Sequence, residues 1–203
     1  LGRWRKAKLS GMPLRAEIIA AAHLSSDQSA KIKRGQIEKW KLSLTKPTVL
    51  VFGGSQGSRH INEAILQSLS VFAEKGVQVV HSVGRNNPLP TSTENYLPVS
   101  YIDDMSAAYH AADLVIARSG ALTCAELAAV GKFAILIPLP IGNGEQAANA
   151  ADLQMAGAAE VVDDNKFNAD WLISNWDQIW QKASNYQPSV RGEFSASQII
   201  GQA

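Results

Sequence analysis

The sequence has little of what several protein classes require. It holds a single cysteine, Cys124, so no internal disulfide can form, which suits a reducing cytoplasm. Its longest apolar run, FAILIPLPI from Phe133 to Ile141, falls far short of the about 18 residues needed to span a bilayer. No secretory signal pattern opens the chain. The first residue is Leu1 rather than Met, as expected of a fragment or a processed chain. Net charge is only +1, which gives no bulk argument for nucleic acid as a partner. His23, His60, His81 and His110 are scattered without ligand spacing, so no metal and no other cofactor is expected. A P-loop would need Gly-Lys-[Ser/Thr], and Gly57 is followed by Ser58 and Arg59. The G-x-G-x-x-G fingerprint and the G-x-S-x-G nucleophile turn are missing as well. Internal repeats and low-complexity tracts are also lacking.

What is present is an ordinary globular composition, 46% hydrophobic and 18% charged over 203 residues, enough for a substantial core. The charge is uneven. Eleven lysines and arginines, from Arg3 to Lys46, crowd the first quarter against only Glu17, Asp27 and Glu38. Such an arm is either a solvated face or a surface for an anionic membrane or another domain.

Strand-like and helix-like segments alternate. TVLVFG (48–53), VQVVHSV (77–83), PVSYI (98–102), DLVIA (113–117), FAILIP (133–138) and AEVVD (159–163) read as strands. Between them, Ile61, Ile65, Leu69 and Phe72 recur at helical spacing, and DDMSAAYHAA, ALTCAELAAV and GEQAANAADLQMAG read as helices, the last two stopped by Gly131 and Gly157. Helices are also expected in the first 46 residues, packed on one edge of the sheet, at NADWLISNWDQIWQKAS and at SASQIIGQA. In the first of the latter pair, Trp171, Trp176 and Trp180 form a packed stripe or a partner surface. The alternation predicts an α/β fold: a Rossmann-like parallel sheet with helices on both faces. Ligands of such sheets sit beyond the carboxyl ends of the strands, so the loops after each strand are the ones to examine.

Four of these loops carry chemistry. In GGSQGSR, Gly53, Gly54 and Gly57 let the backbone approach a ligand, the helix that follows offers unpaired N–H groups to an anion, and Ser55 and Ser58 add hydroxyl donors. A tight turn with no ligand is the alternative. In ARSGALTCAEL, Arg118, Ser119 and Gly120 end a strand and a helix opens near Ala121. Glu126, a turn and a half inside it, either accepts from a vicinal diol such as a ribose or faces solvent beside a cation. In PLPIGNGEQAANA, Glu145, Gln146 and Asn149 are suited to sugar hydroxyls, because amides donate and accept together. Capping by Asn143 would explain Glu145 but not Gln146. In YIDDM, the backbone near Ile102 can read a base edge with Met105 as an apolar wall, or Asp103 or Asp104 simply caps a helix.

Taken in order, GGSQGSRHIN, IDDM, RSGALTCAEL, PLPIGNGEQAANA and AGAAEVV resemble the C-terminal half of the MurG family of bacterial N-acetylglucosaminyltransferases, with GMPLR resembling the entry from the interdomain linker. The resemblance implies the C-terminal domain of a GT-B glycosyltransferase. It implies a linker or edge segment over residues 1–12 and a UDP-sugar donor domain over 13–203, the N-terminal acceptor domain being absent. The implied reaction is inverting transfer of N-acetylglucosamine from UDP-N-acetylglucosamine to the 4-hydroxyl of lipid-linked N-acetylmuramyl-pentapeptide. It takes place at the cytoplasmic face of the plasma membrane, with the general base in the missing domain. Carried over by residue, Glu126 holds the ribose, Ile102 backbone the uracil, and Ser55 and Arg15 the diphosphate together with N–H groups at Ala121 and Leu122. Gln146 and Glu145 hold the sugar, although some family members have Gln at the latter position. Gly53, Gly54, Gly57, Ser119 and Gly120 support these loops. Two other readings stand beside this one: the donor subunit of another two-chain GT-B transferase, and a non-catalytic nucleotide-sugar-binding module.

Overall fold

A computed structural model describes residues 14–188. The expected linker at 1–12, the basic residues Arg3 to Lys8 and the C-terminal SASQIIGQA helix lie outside the described residues. Six strands form one parallel sheet: β1 (Thr48–Phe52), β2 (Gln78–Ser82), β3 (Tyr96–Val99), β4 (Leu114–Ala117), β5 (Ala134–Leu136) and β6 (Ala159–Val161), in the order β3-β2-β1-β4-β5-β6. The helices are α1 (Ala16–Ala22), α2 (Ser26–Lys39), α3 (Arg59–Glu74), α4 (Met105–Ala111), α5 (Ala121–Val130), α6 (Glu145–Met155) and α7 (Ala169–Asn185). The order reverses between β1 and β4, so the crevice beyond Phe52 and Ala117 is the place where this topology opens for a ligand.

Every residue of β1, β2, β4 and β5 is buried, as required when helices cover both faces. One face packs Leu50, Val80 and Val115 against Tyr109, Leu127 and Leu153 from α4, α5 and α6. The other packs Val49, Val79 and Ile116 against α3 and α7, through Ile61, Ile65, Phe72, Leu172 and Trp176. The tryptophans form the packed stripe: Trp176 stacks on Trp180 at 5.6 Å and meets Phe72 edge-on at 4.8 Å.

Two expectations are corrected. The third strand begins at Tyr96, two residues before Pro98, rather than at the proline. β3 is an edge strand, where a residue with no N–H to donate is tolerated, and starting earlier buries the Tyr96 ring. The first helices do not line a sheet edge. α1 packs on α5 and α4, and α2 on α4, because Ile18, Ala21 and Ala22 complete the core cluster beneath them.

A buried polar chain runs below the crevice. His81 on β2 bonds the Tyr96 hydroxyl and the Asn62 side-chain oxygen, both at 3.0 Å, and Asn62 Nδ2 donates to the Val83 carbonyl. Burial lowers the His81 pKa from 6.5 to about 4. A depressed histidine pKa means that the unfolded chain takes up the proton first, so stability is lost as pH falls from 6.5 towards 4. Between pH 7.5 and 5 this single group is expected to remove about 2 kcal/mol. Urea unfolding at the two pH values, compared with His81→Gln, checks it: the variant should lose that part of the pH dependence.

Candidate functional site

The loop after β1 is shaped by its glycines. A Cβ on Gly53 would lie 2.4 Å from the Ser58 nitrogen, so the chain can fold back here only without a side chain. Gly57 adopts φ +75° against the loop after β2. That second loop holds the first: Arg85 N donates to the Ser55 carbonyl at 3.3 Å, and Asn87 Nδ2 to the Gln56 carbonyl at 2.8 Å. Ser55 is left exposed at the rim. Ser58, expected to offer a hydroxyl to a ligand, is buried instead. Its Oγ caps α3 by accepting from Ile61 N, and it accepts from Arg118 Nη2 at 2.9 Å. The cap is needed because the helix opens here with unpaired donors.

The second wall is the turn after β4. Arg118 is buried and reaches three ways, to Ser58 Oγ, to the Ile137 carbonyl at 3.2 Å and to Asp164 at 2.5 Å. It therefore ties the ends of β4 and β5, the start of α3 and the turn after β6 together across the switch point. Ser119 Oγ donates to the Gln146 carbonyl. α5 then starts at Ala121 with Gly120 as a cap that has no side chain to offer, and its first intrahelical bond is Cys124 N to the Gly120 carbonyl. The N–H groups of Ala121, Leu122 and Thr123 thus face the crevice end of the helix without helical partners, where the helix dipole favours negative charge. Cys124, one turn in, is buried, and burial pushes its thiol up to about 12, so it is not a nucleophile.

α6 opens in the same way. Gly144 at φ +77° is the cap, not Asn143, because this turn requires a left-handed residue and glycine adopts it without strain. Gln146 Oε1 accepts from Leu139 N at 3.0 Å, which leaves its Nε2 hydrogens without a partner among the described residues. Asp104 caps α4 through Ala107 N, while neither backbone group of Ile102 is bonded among the described residues.

The surroundings of Glu126 are not indicated by the sequence. The residue is 2% exposed, so the solvent-facing alternative fails. Arg15, the residue before α1, reaches Oε1 with Nε at 3.1 Å and with Nη2 at 3.0 Å. Tyr109 donates its hydroxyl to Oε2 at 2.9 Å. Arg15 remains 35% exposed, and Nη1 has no protein partner among the described residues, so the guanidinium can take a further anion without leaving Glu126.

Two adjoining cavities result. One, of about 210 Å³, is lined by Arg15, Ser55, Ile102, Leu122 and Glu126, with Tyr109, Met105 and Tyr101, the last capped by Arg85 at 4.0 Å. The other, of about 410 Å³, is lined by Gly53, Gly57, Arg118, Gly120 and Gln146, and both include Gly54 and Thr123. Ala121, Ser119 and Glu145 line neither cavity: Ser119 is buried and bonds Gln146 and Asn149, Ala121 contributes only its position at the start of α5, and Glu145 is exposed at the start of α6. Sequence reasoning missed Tyr109 and Thr123. A tyrosine among the small residues of AAYHAA was the available signal for the first; none marked the second. No group of three or more His, Cys, Asp or Glu residues gathers at metal-binding distance among the described residues.

A parallel sheet of this order, with unpaired helix starts gathered at its switch point beside a buried carboxylate, defines a Rossmann-like domain with its ligand cleft at that point. Residues 48–201 match the profile described as the glycosyltransferase family 28 C-terminal domain. The chain belongs to that family. It is 46% identical over 164 residues to a protein of Corynebacterium efficiens, covering 81% of this chain and 44% of that protein. It is 48% identical over 181 residues to one of Corynebacterium diphtheriae, covering 89% and 48%. Both are named UDP-N-acetylglucosamine–N-acetylmuramyl-(pentapeptide) pyrophosphoryl-undecaprenol N-acetylglucosamine transferase. The crystal structure of Acinetobacter baumannii MurG superposes with a TM-score of 0.59 at 25% identity, covering 81% of this chain and 52% of that one. The chain thus spans about half the length of the curated relatives it matches.

Proposed function

We propose that this chain is the donor-binding half of an inverting N-acetylglucosaminyltransferase that uses UDP-N-acetylglucosamine and a lipid-linked N-acetylmuramyl-pentapeptide. Residues 1–12 act as the linker and 13–203 as the donor domain. The observation that carries the reading is the buried Glu126 carboxylate at the floor of a cleft whose rim is built from the starts of α3, α5 and α6. A carboxylate there accepts two hydrogen bonds from a ribose, and the helix starts hold the diphosphate. The backbone of Ile102 is available to a uracil edge, and the free amide of Gln146 to sugar hydroxyls, with Glu145 as a more distant partner. Ser55 and the spare face of Arg15 add donors to the phosphates.

In the reaction, the acceptor hydroxyl attacks the anomeric carbon from the side opposite UDP, and negative charge builds on the departing diphosphate. Preorganised N–H groups and a guanidinium aimed at that charge lower the barrier without moving during the step. The base that removes the acceptor proton belongs to the other half of the enzyme. That half also makes most of the contact with lipid, and the whole enzyme sits peripherally on the cytoplasmic face of the membrane. Among the described residues no helix is long and apolar enough to cross a bilayer.

The test is calorimetry of this chain with UDP-N-acetylglucosamine. Glu126→Ala is expected to weaken binding by about 1–3 kcal/mol through loss of charged hydrogen bonds. Unchanged affinity would remove Glu126 from the site. UDP-glucose and NAD in the same cell should bind less tightly, and equal binding of NAD would favour a general dinucleotide module.

A further inference from the structure

Glu126 reaches the cleft on a side chain with several rotatable bonds and a broad terminal torsion, so it does not orient itself. Two groups orient it. Arg15 is long, partly exposed and shared with whatever anion enters. Tyr109 is different. It is 0% exposed, its ring is fixed edge-on against Phe52 at 6.2 Å, and its hydroxyl donates to Glu126 Oε2 at 2.9 Å. Burial, and then the charge of Glu126, hold its pKa well above the usual 10, so the group remains a donor at any working pH. Phe52 is the last residue of β1, and α4, which carries Tyr109, begins three residues after Ile102. The hydroxyl therefore connects the base-facing loop to the carboxylate on α5.

We propose that Tyr109 is a positioning residue that holds the Glu126 carboxylate in the orientation that receives a vicinal diol, and so sets the preference of the cleft for a ribonucleotide over its 2′-deoxy counterpart. The inference rests on reading the cleft as a nucleotide-sugar site. Arg15 holds only Oε1 and also offers its spare nitrogen to an incoming diphosphate, so the Tyr109 hydroxyl is the protein contact that fixes Oε2. Without it the carboxylate swings about its terminal torsion and meets the 2′- and 3′-hydroxyls in no fixed geometry.

The experiment is calorimetry of the 203-residue chain with UDP and with 2′-deoxy-UDP, for wild type, Tyr109→Phe, Glu126→Gln and the double variant. Phenylalanine keeps the ring packing, and a thermal melt verifies that each variant is folded. Wild type should prefer UDP by about tenfold, the worth of one hydrogen bond to a charged group, and Tyr109→Phe should reduce that preference to about threefold or less. In the Glu126→Gln background, adding Tyr109→Phe should change the preference no further. A tyrosine with only a structural role would weaken both ligands equally and leave the ratio intact, which overturns the proposal. Absence of any preference in wild type overturns the diol reading of Glu126 itself, and the Tyr109 proposal with it. The two failures are separated because the first is visible only in the variant.

Discussion

Gly57→Ala is expected to destabilise the fold by about 3–5 kcal/mol, combining the cost of a left-handed backbone with overpacking against a rigid neighbour. The new Cβ would fall 1.9 Å from the Val83 carbonyl oxygen and 2.8 Å from Asn87 Nδ2. That carbonyl cannot retreat freely, because Asn62 and Asn87 both donate to it. Gly84 meets the first loop from the other side at φ +100°, its Cβ direction 2.3 Å from the Gln56 carbonyl, so neither loop can yield to the other. Gly54→Ala is the control. It also has a positive φ, +93°, but nothing stands within 4 Å of its Cβ direction, so only backbone strain of about 1–2 kcal/mol applies. Urea unfolding of both variants decides the matter. Equal midpoints would mean that the two loops are not locked together as described.

Arg118→Ala is expected to cost about 3–5 kcal/mol, since removing one partner of a buried pair leaves the other charge uncompensated. Asp164 loses its guanidinium, and the Ser58 Oγ and Ile137 carbonyl lose a donor. Asp164 retains some solvent access, which places the value toward the lower end. Arg118→Lys should rescue little, because an ammonium presents its three donors from one nitrogen and cannot span acceptors that Arg118 reaches from two. The exposed Lys75–Asp177 pair is the comparison, worth about 1 kcal/mol or less to either truncation. Chemical unfolding of Arg118→Ala and of an Arg118→Ala, Asp164→Ala double variant tests the account. The double variant should be less destabilised than the two losses added, and a single-variant loss below about 1 kcal/mol would refute it.

Local signals carried much of the fold. α5 runs from Ala121 to Val130 as read from the sequence, because Gly120 and a left-handed Gly131 punctuate it at both ends. β1, β2 and β4 follow from dense β-branched runs, and the family resemblance agrees with the match over residues 48–201. The errors arose where position in the sheet overrides local preference, as at Pro98, or where two neighbours compete for one role, as Gly144 does with Asn143. The cleft was legible as a set of loops following strands, since parallel topology alone brings those loops to one rim. Its floor was not. Arg15 and Glu126 are separated by 111 positions and Tyr109 and Glu126 by 17, and no spacing rule links residues that meet only through the packing of α1 and α4 on α5. Ser58 shows the converse: a hydroxyl in a glycine-rich loop invites a ligand role until the helix behind it claims the oxygen.

The docking of α1 has a consequence for where this unit can be cut. The family match opens at position 48, yet Ile18, Ala21 and Ala22 are interior residues of the same body as Leu127 and Tyr109. A truncation at the homology boundary would strip a layer from the interior and leave an anion at the bottom of the cleft with its guanidinium gone. The smallest autonomous piece of this protein therefore extends upstream of its recognisable signature.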